Sequence, residues 1–389
     1  MIVGTPIVDV PLVLPLASEE RRSPFVLRAF YFVTSVIEWC FGVVSLFVGL
    51  AVLAAIPVVQ FLSLGYMLEA GGRVARTGRL RDGFIGVRLA GRVGGVVLGI
   101  WLLLLPVRFV SDLTVSASII EPGSRIALMW RVGLFVLIGV TAFHILTVCA
   151  RGGKLRYFVW PFNFITVGLR VLQGGYYSQS RDAVWDTVMS LRLPYYFWLG
   201  LRGFAGAFVW LVIPVSLLAL GRQHFPAPLF NIIGAPLLLI VLMYLPFLQM
   251  RLAQTNRFRA VFEVRAVRAD FQRAPWAFLL AFIVTLLFAL PLYLLKIEVV
   301  PREAAWLPSL VFILFMFPAR LTTGWALGYA AKRTANRHWF LRWTARILLL
   351  PTVAFYGLIV YFSQYIGWNG MWGLYEQHAF LLPVPLFGT

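Results

Sequence analysis

Long apolar runs alternate with short polar segments along this 389-residue chain. A helix that crosses a membrane needs about 20 mostly apolar residues. The runs that meet this requirement predict eight spans, at about 39–62, 93–110, 132–150, 197–220, 229–250, 276–296, 307–328 and 345–366. The pattern therefore predicts an all-α, polytopic transmembrane helix bundle, formed by a single domain at 39–366. An N-terminal tail with an interfacial segment (1–38) precedes this domain, and a C-terminal tail (367–389) follows it.

Composition supports a membrane location. The chain is 61% hydrophobic and 13% charged, whereas a soluble domain is about 45–50% apolar and about 25% charged. The net charge of +19 would favour a nucleic-acid partner in a soluble protein. Here, however, the arginines lie in short loops between apolar runs, which is typical of charge that determines membrane topology. We therefore expect no nucleic-acid partner.

The basic residues also predict an orientation. The segments after the first, third, fifth and seventh spans contain six, six, six and five of them, together 23 of the 34, and the alternate loops contain five. Loops rich in arginine and lysine stay in the cytoplasm. Eight spans then predict a multi-pass protein of the cell (inner) membrane, with its basic loops in the cytoplasm and both termini outside.

Three arginines near the N-terminus disagree with this orientation. Arg21, Arg22 and Arg28 precede the first span and would lie outside. In the alternative topology, residues 29–64 form a tight hairpin, which gives nine spans and a cytoplasmic N-terminus. That stretch contains no turn motif, so the sequence favours eight spans.

A short motif recurs near the basic segments. A proline is followed within two or three positions by a polar residue at 57–60, 161–163, 246–249 and 318–320. Gly-Tyr pairs recur at 65–66, 175–176 and 328–329. We interpret these as four copies of one unit, in which a helix enters, a basic segment lies along the inner interface, and a second helix leaves. The prediction is four helix hairpins with basic interfacial cytoplasmic helices. The alternative is that proline and glycine are simply common in membrane helices.

This repeat places four polar residues at similar depth. If the units are related by pseudosymmetry, Gln60, Asn163, Gln249 and Arg320 form a polar cluster near the inner leaflet. Arg320 lies well inside the seventh predicted span, where a charged side chain needs a partner or a polar cavity. The alternative is local. A proline inside a helix frees the carbonyl four residues before it, and each polar residue then only repairs its own break.

The basic segments predict contacts with lipid. Their arginine stems can lie along the apolar boundary while the guanidinium groups reach lipid phosphates. The predicted headgroup contacts are Arg73, Arg76, Arg79, Arg81, Arg257, Arg259, Arg265 and Arg268. The expected partners are therefore membrane lipids, chiefly anionic ones.

Gly91, Gly95 and Gly99 recur at every fourth residue. Such a face of small residues lets another helix approach closely, either within the chain or in another subunit. The simpler expectation is packing within the chain.

Residues 258–288 carry a basic helix that ends in Phe271, Arg273 and Pro275 and leads into a long apolar run. This stretch resembles uncharacterised multipass bacterial membrane families, including the membrane-domain family found beside glycerophosphodiester phosphodiesterases. The resemblance covers about thirty residues. It implies a helical multipass protein, and it assigns no catalytic residue.

Catalytic motifs are absent from the sequence. It contains no phosphate-binding loop, no metalloprotease or nucleophile-elbow motif and no Cys/His metal cluster. We therefore expect no cofactor and no enzyme activity. The sequence favours a non-enzymatic scaffold or subunit of a membrane complex, with a basic inner rim that binds anionic lipid and with a protein partner or second copy. A transporter or channel for a small solute or lipid is the alternative, and a lipid-modifying enzyme is the third hypothesis.

Overall fold

The structure is a computed structural model that describes residues 25–153, 155–172, 174, 176–221, 227–294 and 306–366. Of the predicted N-terminal tail and interfacial segment (1–38), residues 1–24 lie outside the described residues, and residues 25–38 form the first part of a long helix (Phe25–Ala55) instead of a separate segment. The predicted C-terminal tail (367–389) also lies outside the described residues. In chain order the α-helices are α1 (Phe25–Ala55), α2 (Gln60–Thr77), α3 (Val87–Ile120), α4 (Arg125–Ala150), α5 (Leu155–Val159), α6 (Asn163–Leu172), α7 (Tyr176–Ser190), α8 (Leu193–Leu220), α9 (Ala227–Thr255), α10 (Val264–Arg273), α11 (Pro275–Leu294), α12 (Trp306–Ala331) and α13 (Trp339–Ile366).

Eight helices of the described chain are long and apolar enough to cross a membrane, namely α1, α3, α4, α8, α9, α11, α12 and α13. The prediction of an all-α, multi-pass bundle is confirmed. Prolines lie inside six of these helices without ending them. Transmembrane helices tolerate proline because neighbouring groups satisfy the freed carbonyls.

The first predicted span, 39–62, ends too late. The chain leaves α1 just before Pro57, and Val58 adopts the left-handed conformation (φ 69°). The Ser63 hydroxyl then donates to the Leu50 carbonyl at 2.7 Å. In a continuous helix these two residues would lie about 20 Å apart, so the chain reverses direction here. No turn motif marks this reversal, because the left-handed residue is a valine.

The reversal places α2 inside the bundle. Helix α2 packs against α1, α8, α9 and α12, and 14 of its 18 residues are buried. We predicted an interfacial location for the segment after the first span, and for α2 that prediction is wrong. Glycines bring its backbone into contact with its neighbours. A Cβ on Gly65 would overlap the Tyr196 carbonyl of α8, and one on Gly324 of α12 would overlap the Gly71 carbonyl.

Four pairs of successive helices pack together and are each followed by a basic segment, namely α1 with α2, α3 with α4, α8 with α9, and α11 with α12. In the predicted repeat the basic segment instead joins the two helices of a unit. Of those predicted pairs, α1 with α3 packs extensively and α9 with α11 only slightly. Helices α1 and α3 run in the same direction, because Gly42 lies against Gly91 and Ser45 against Gly94. Helix α13 packs on α11 and α9.

Candidate functional site

The chain makes the same turn after α2 and after α9. Gly78 (φ 73°) and Asn256 (φ 56°) occupy the left-handed region. Each is followed by an extended arginine, with φ −120° and ψ 120° at Arg79 and φ −116° and ψ 124° at Arg257. A short 3-10 helix comes next, at Leu80–Gly83 and at Phe258–Phe262. We call residues 78–84 the first arm and residues 256–262 the second arm.

Apolar residues of both arms pack against the bundle. In the first arm, the Phe84 ring lies 5.3 Å from the Phe317 ring of α12, centroid to centroid. In the second arm, Val261 is fully buried, and its carbonyl accepts a hydrogen bond of 3.1 Å from the Trp210 indole of α8. The arginines at the second and fourth positions of both arms are exposed. Each arm therefore presents two guanidinium groups from a fixed backbone.

The acidic residue of α2, the helix that precedes the first arm, is already neutralised. Glu69 of α2 is buried, and it accepts hydrogen bonds from the Arg76 guanidinium and from the Tyr195 hydroxyl, the latter at 2.8 Å. Arg73 lies 4.0 Å away. Arg76 also donates to the Ala253 carbonyl of α9 at 2.9 Å. We predicted headgroup contacts for Arg73 and Arg76, but Arg76 turns inward, because α2 places the Glu69 carboxylate beside it.

A second acidic cluster lies beyond the second arm. Arg251 donates to Glu263 at 2.8 Å and to Asp270 at 3.1 Å, and Arg273 donates to Asp270 at 3.3 Å. Burial raises the pKa of the Asp270 carboxyl, and the two arginines lower it by a smaller amount. Arg268, a predicted headgroup contact, donates to the Tyr244 hydroxyl at 3.0 Å.

The arms are left with unbalanced positive charge. Arg81 lies 3.9 Å from Asp82 in an exposed pair. Among the described residues, no carboxylate lies within ion-pair distance of Arg79, Arg257 or Arg259. Arg265 of α10 is also exposed. These arginines form a cationic surface at one end of the bundle.

Only two members of the predicted polar cluster come together. The Arg320 guanidinium donates to the Gln249 side-chain oxygen at 2.5 Å, and the Gln249 amide donates to the Gly203 carbonyl at 3.2 Å. Gln60 is buried at the start of α2. Gly71, the residue of α2 that lies against Arg320, comes eleven residues later, so Gln60 does not reach Arg320. The predicted four-residue cluster is not assembled, because Pro57 and Pro161 lie in turns between helices, whereas Pro246 and Pro318 lie inside α9 and α12.

Asn163 lies on a different part of the molecule. It is fully buried, and its amide donates to the carbonyls of Tyr157 at 2.6 Å and Trp160 at 2.5 Å. Tyr157 precedes Pro161 by four residues, so its carbonyl is the one that the proline frees. The Arg151 guanidinium donates to the Asn163 side-chain oxygen at 2.6 Å. For Asn163 the local alternative, repair of its own proline break, describes the contacts.

The glycine face of α3 contacts other parts of the same chain. A Cβ on Gly91 would lie 3.2 Å from Gly42 of α1. A Cβ on Gly95 would lie 3.2 Å from Leu155, and one on Gly99 would lie 2.6 Å from Phe158. The three glycines therefore let α1 and α5 approach α3.

The arm arginines are among the predicted headgroup contacts, but the turn that holds them was not predicted, because none of the four motif prolines lies in an arm. A better motif is present in the sequence: Thr-Gly-Arg-Leu-Arg at 77–81 and Thr-Asn-Arg-Phe-Arg at 255–259, with Gly-Lys-Leu-Arg at 153–156 as a shorter relative. Glycine and asparagine are the residues that adopt the left-handed conformation most readily. Their alternation at one position of a repeat indicates a fixed turn.

Comparison with known proteins identifies no relative. No family model matches the chain, and neither a curated protein nor a solved structure gives a significant match. The resemblance of residues 258–288 to multipass bacterial families therefore stays a prediction. Within the described residues, no group of three or more His, Cys, Asp or Glu side chains could hold a metal ion.

Proposed function

We propose that this chain is a non-enzymatic membrane protein that binds anionic lipid through its two arms and serves as a scaffold or subunit of a membrane complex. The observation that carries the proposal is the repeated geometry of the arms, which present Arg79, Arg257 and Arg259 without an ion-pair partner in the part of the chain that the structure describes. The acids nearby are neutralised by Arg76, Arg251 and other arginines. The free charge of the arms is thus available to a phosphate.

The expected affinity comes from several weak contacts. A basic residue near an anionic membrane surface contributes about 1 kcal/mol. Three arginines then contribute about 3 kcal/mol, which corresponds to about a hundredfold in affinity. Arginine suits this role because its planar group can donate two parallel hydrogen bonds to a phosphate.

Replacing Arg79, Arg257 and Arg259 together with glutamine is expected to remove most of the stabilisation by anionic lipid. A lipid that binds only the folded state raises the midpoint of thermal unfolding. In detergent, phosphatidylglycerol should raise the Tm of the native chain, and phosphatidylcholine should not. The triple variant should lose most of that difference while keeping its Tm in detergent alone.

The matched control replaces three exposed arginines of α3 and α4, namely Arg108, Arg125 and Arg131, with glutamine. This variant carries the same charge change and should respond to phosphatidylglycerol as the native chain does. An equal loss in both variants would show that only total charge matters, and the arms would then not be the site.

We also propose that the arms lie in the cytoplasm and that the N-terminus lies there with them, in the cell membrane of a bacterium. The chain reverses between α1 and α2, so the start of α1 and the end of α2 lie toward the same side of the bundle. This arrangement supports the nine-span alternative. It also removes the conflict over Arg21, Arg22 and Arg28, which then lie on the basic side.

Single cysteines in a background that lacks Cys40 and Cys149 test this topology. A membrane-impermeant maleimide applied to intact cells should label Pro122→Cys, between α3 and α4, but not Lys332→Cys, after α12. We expect Ser23→Cys to stay unlabelled until the cells are permeabilised. Labelling of Ser23→Cys in intact cells would support the eight-span topology with an external N-terminus.

A transporter is the second candidate, and Arg320 is the observation that favours it. Its side chain is only 3% exposed in the core between α9, α12 and α2, and ionisable groups inside membrane proteins often mark a transport path. The packing around it favours the scaffold, however. A Cβ on Gly71 would lie 2.7 Å from the Arg320 carbonyl, so α2 fills the space beside it.

A further inference from the structure

A groove of about 460 Å³ lies between α4 and the α5–α6 segment, with α3 at its side. Volumes of roughly 300–1,000 Å³ are typical of small-molecule sites. Its walls are mainly apolar, and they include Leu103, Val140, Phe143, Phe158 and Phe164. The groove is separate from both arms, which follow α2 and α9. Because α3 and α4 are apolar spans with little burial inside the bundle, a molecule that enters the groove from the side comes from the membrane.

The wall opposite α4 is held by polar contacts. The His144 Nε2 of α4 donates to the Phe158 carbonyl at 3.1 Å, since a carbonyl can only accept. One turn further along α4, the Thr147 hydroxyl donates to the His144 carbonyl. Asn163 closes the turn at Pro161. Specific hydrogen bonds therefore hold the walls of the groove in place, and the groove is not a loose crevice between helices.

A cation lies just beyond the groove. Arg151 caps the C-terminus of α4 with helical backbone angles, one turn after the groove residue Thr147 and two turns after His144, so the three residues share one face. The Arg151 guanidinium lies 4.3 Å from the centre of the Tyr157 ring and donates to Asn163 through one nitrogen. A guanidinium carries five N–H donors, so this contact leaves several for an anion.

We propose that the groove binds one anionic phospholipid, with an acyl chain lying along the wall that the contacting rings of Phe143 and Phe164 form and with the phosphate at Arg151. The shape suits an apolar chain, and the charge at one end suits a phosphate. The site goes beyond the proposed function of the arms, because it selects a single lipid molecule by its chain as well as its headgroup. The arms bind charge at an open surface.

Photocrosslinking tests the site. The probe is a phosphatidylglycerol analogue with a diazirine in one acyl chain, mixed with the purified full chain in nanodiscs. We expect crosslinks concentrated on the peptides that contain Phe143 and Phe164. Unlabelled phosphatidylglycerol should compete for these crosslinks, and phosphatidylcholine should not.

Two variants distinguish binding at a specific site from contact with bulk lipid. Val140 lines the groove and Val136 does not, yet the two are 61% and 60% exposed on the same helix. Val140→Trp should remove most of the groove crosslinks, and Val136→Trp should leave them unchanged. Equal crosslinking of all exposed faces, or an equal effect of both tryptophans, would show ordinary boundary lipid and overturn the proposal.

Charge variants test the phosphate contact. Hydrogen bonds to a charged group contribute about 1.5–3 kcal/mol, so Arg151→Gln should weaken competition by phosphatidylglycerol about tenfold or more. Arg131→Gln, at the other end of α4, is the control and should have no effect. The triple arm variant should also leave groove crosslinking unchanged, so the groove and the arms can fail independently.

Discussion

Gly324→Leu is expected to prevent the chain from reaching its folded state. A Cβ at this position would overlap the Gly71 carbonyl, and the rest of the leucine would extend into α2. Overpacking that side chains can absorb costs about 1–3 kcal/mol, and occasionally more. Here the obstacle is backbone that cannot rotate away, so we expect a cost above that range, comparable to the stability of the whole fold. The total stability of a protein is only about 5–15 kcal/mol. The yield of monodisperse protein after gel filtration in detergent should therefore fall to near zero.

Gly133→Leu is the matched control. This glycine lies in the apolar helix α4, and nothing lies within 4 Å of a Cβ built on it. Replacing a helical glycine removes backbone freedom from the unfolded chain, so the variant should be as stable as the native protein or slightly more stable. Normal yield and Tm for Gly324→Leu would mean that α2 does not pack against α12 through its backbone.

Glu69→Ala is expected to lower the Tm of the purified protein by several degrees. The carboxylate is buried, and it joins Arg76, which reaches α9, to Tyr195 of α8. Breaking a fully buried ion pair costs about 3–5 kcal/mol. The Arg76 side chain is 39% exposed, so water compensates in part, and we expect a loss of about 2 kcal/mol.

A double-mutant cycle measures this contact directly. Glu69→Ala combined with Arg76→Ala should destabilise the chain by less than the sum of the single changes, because each change removes the same interaction. Asp182→Ala is the control. It removes an exposed pair with Arg181, whose members are 64% and 62% exposed, and should change the Tm little. Strict additivity of the two single effects would contradict a functional Glu69–Arg76 pair.

The proline motif predicts some features of the fold and not others. Pro57 and Pro161 lie at helix breaks, and Asn163 closes the break at Pro161. Pro246 and Pro318 lie inside α9 and α12 without ending them, so the four prolines do not mark equivalent positions. The turn after α2 and α9 recurs because it depends on three neighbouring residues, one of which must adopt the left-handed conformation.

The sequence by itself determined the class of protein and the eight long apolar helices. Both follow from local composition, since a run of apolar residues crosses a membrane whatever its neighbours are. It also located the basic segments, because each directly follows an apolar run.

Only the tertiary structure decided that α2 is a core helix. Its Glu69, Arg73 and Arg76 make its sequence polar, so a search for apolar runs passes it over. In the folded chain the carboxylate is neutralised by arginine, and glycines at 65 and 71 let neighbouring backbones touch. Whether a charged segment can be buried depends on the partners that distant parts of the chain bring to it, and local composition does not contain that information.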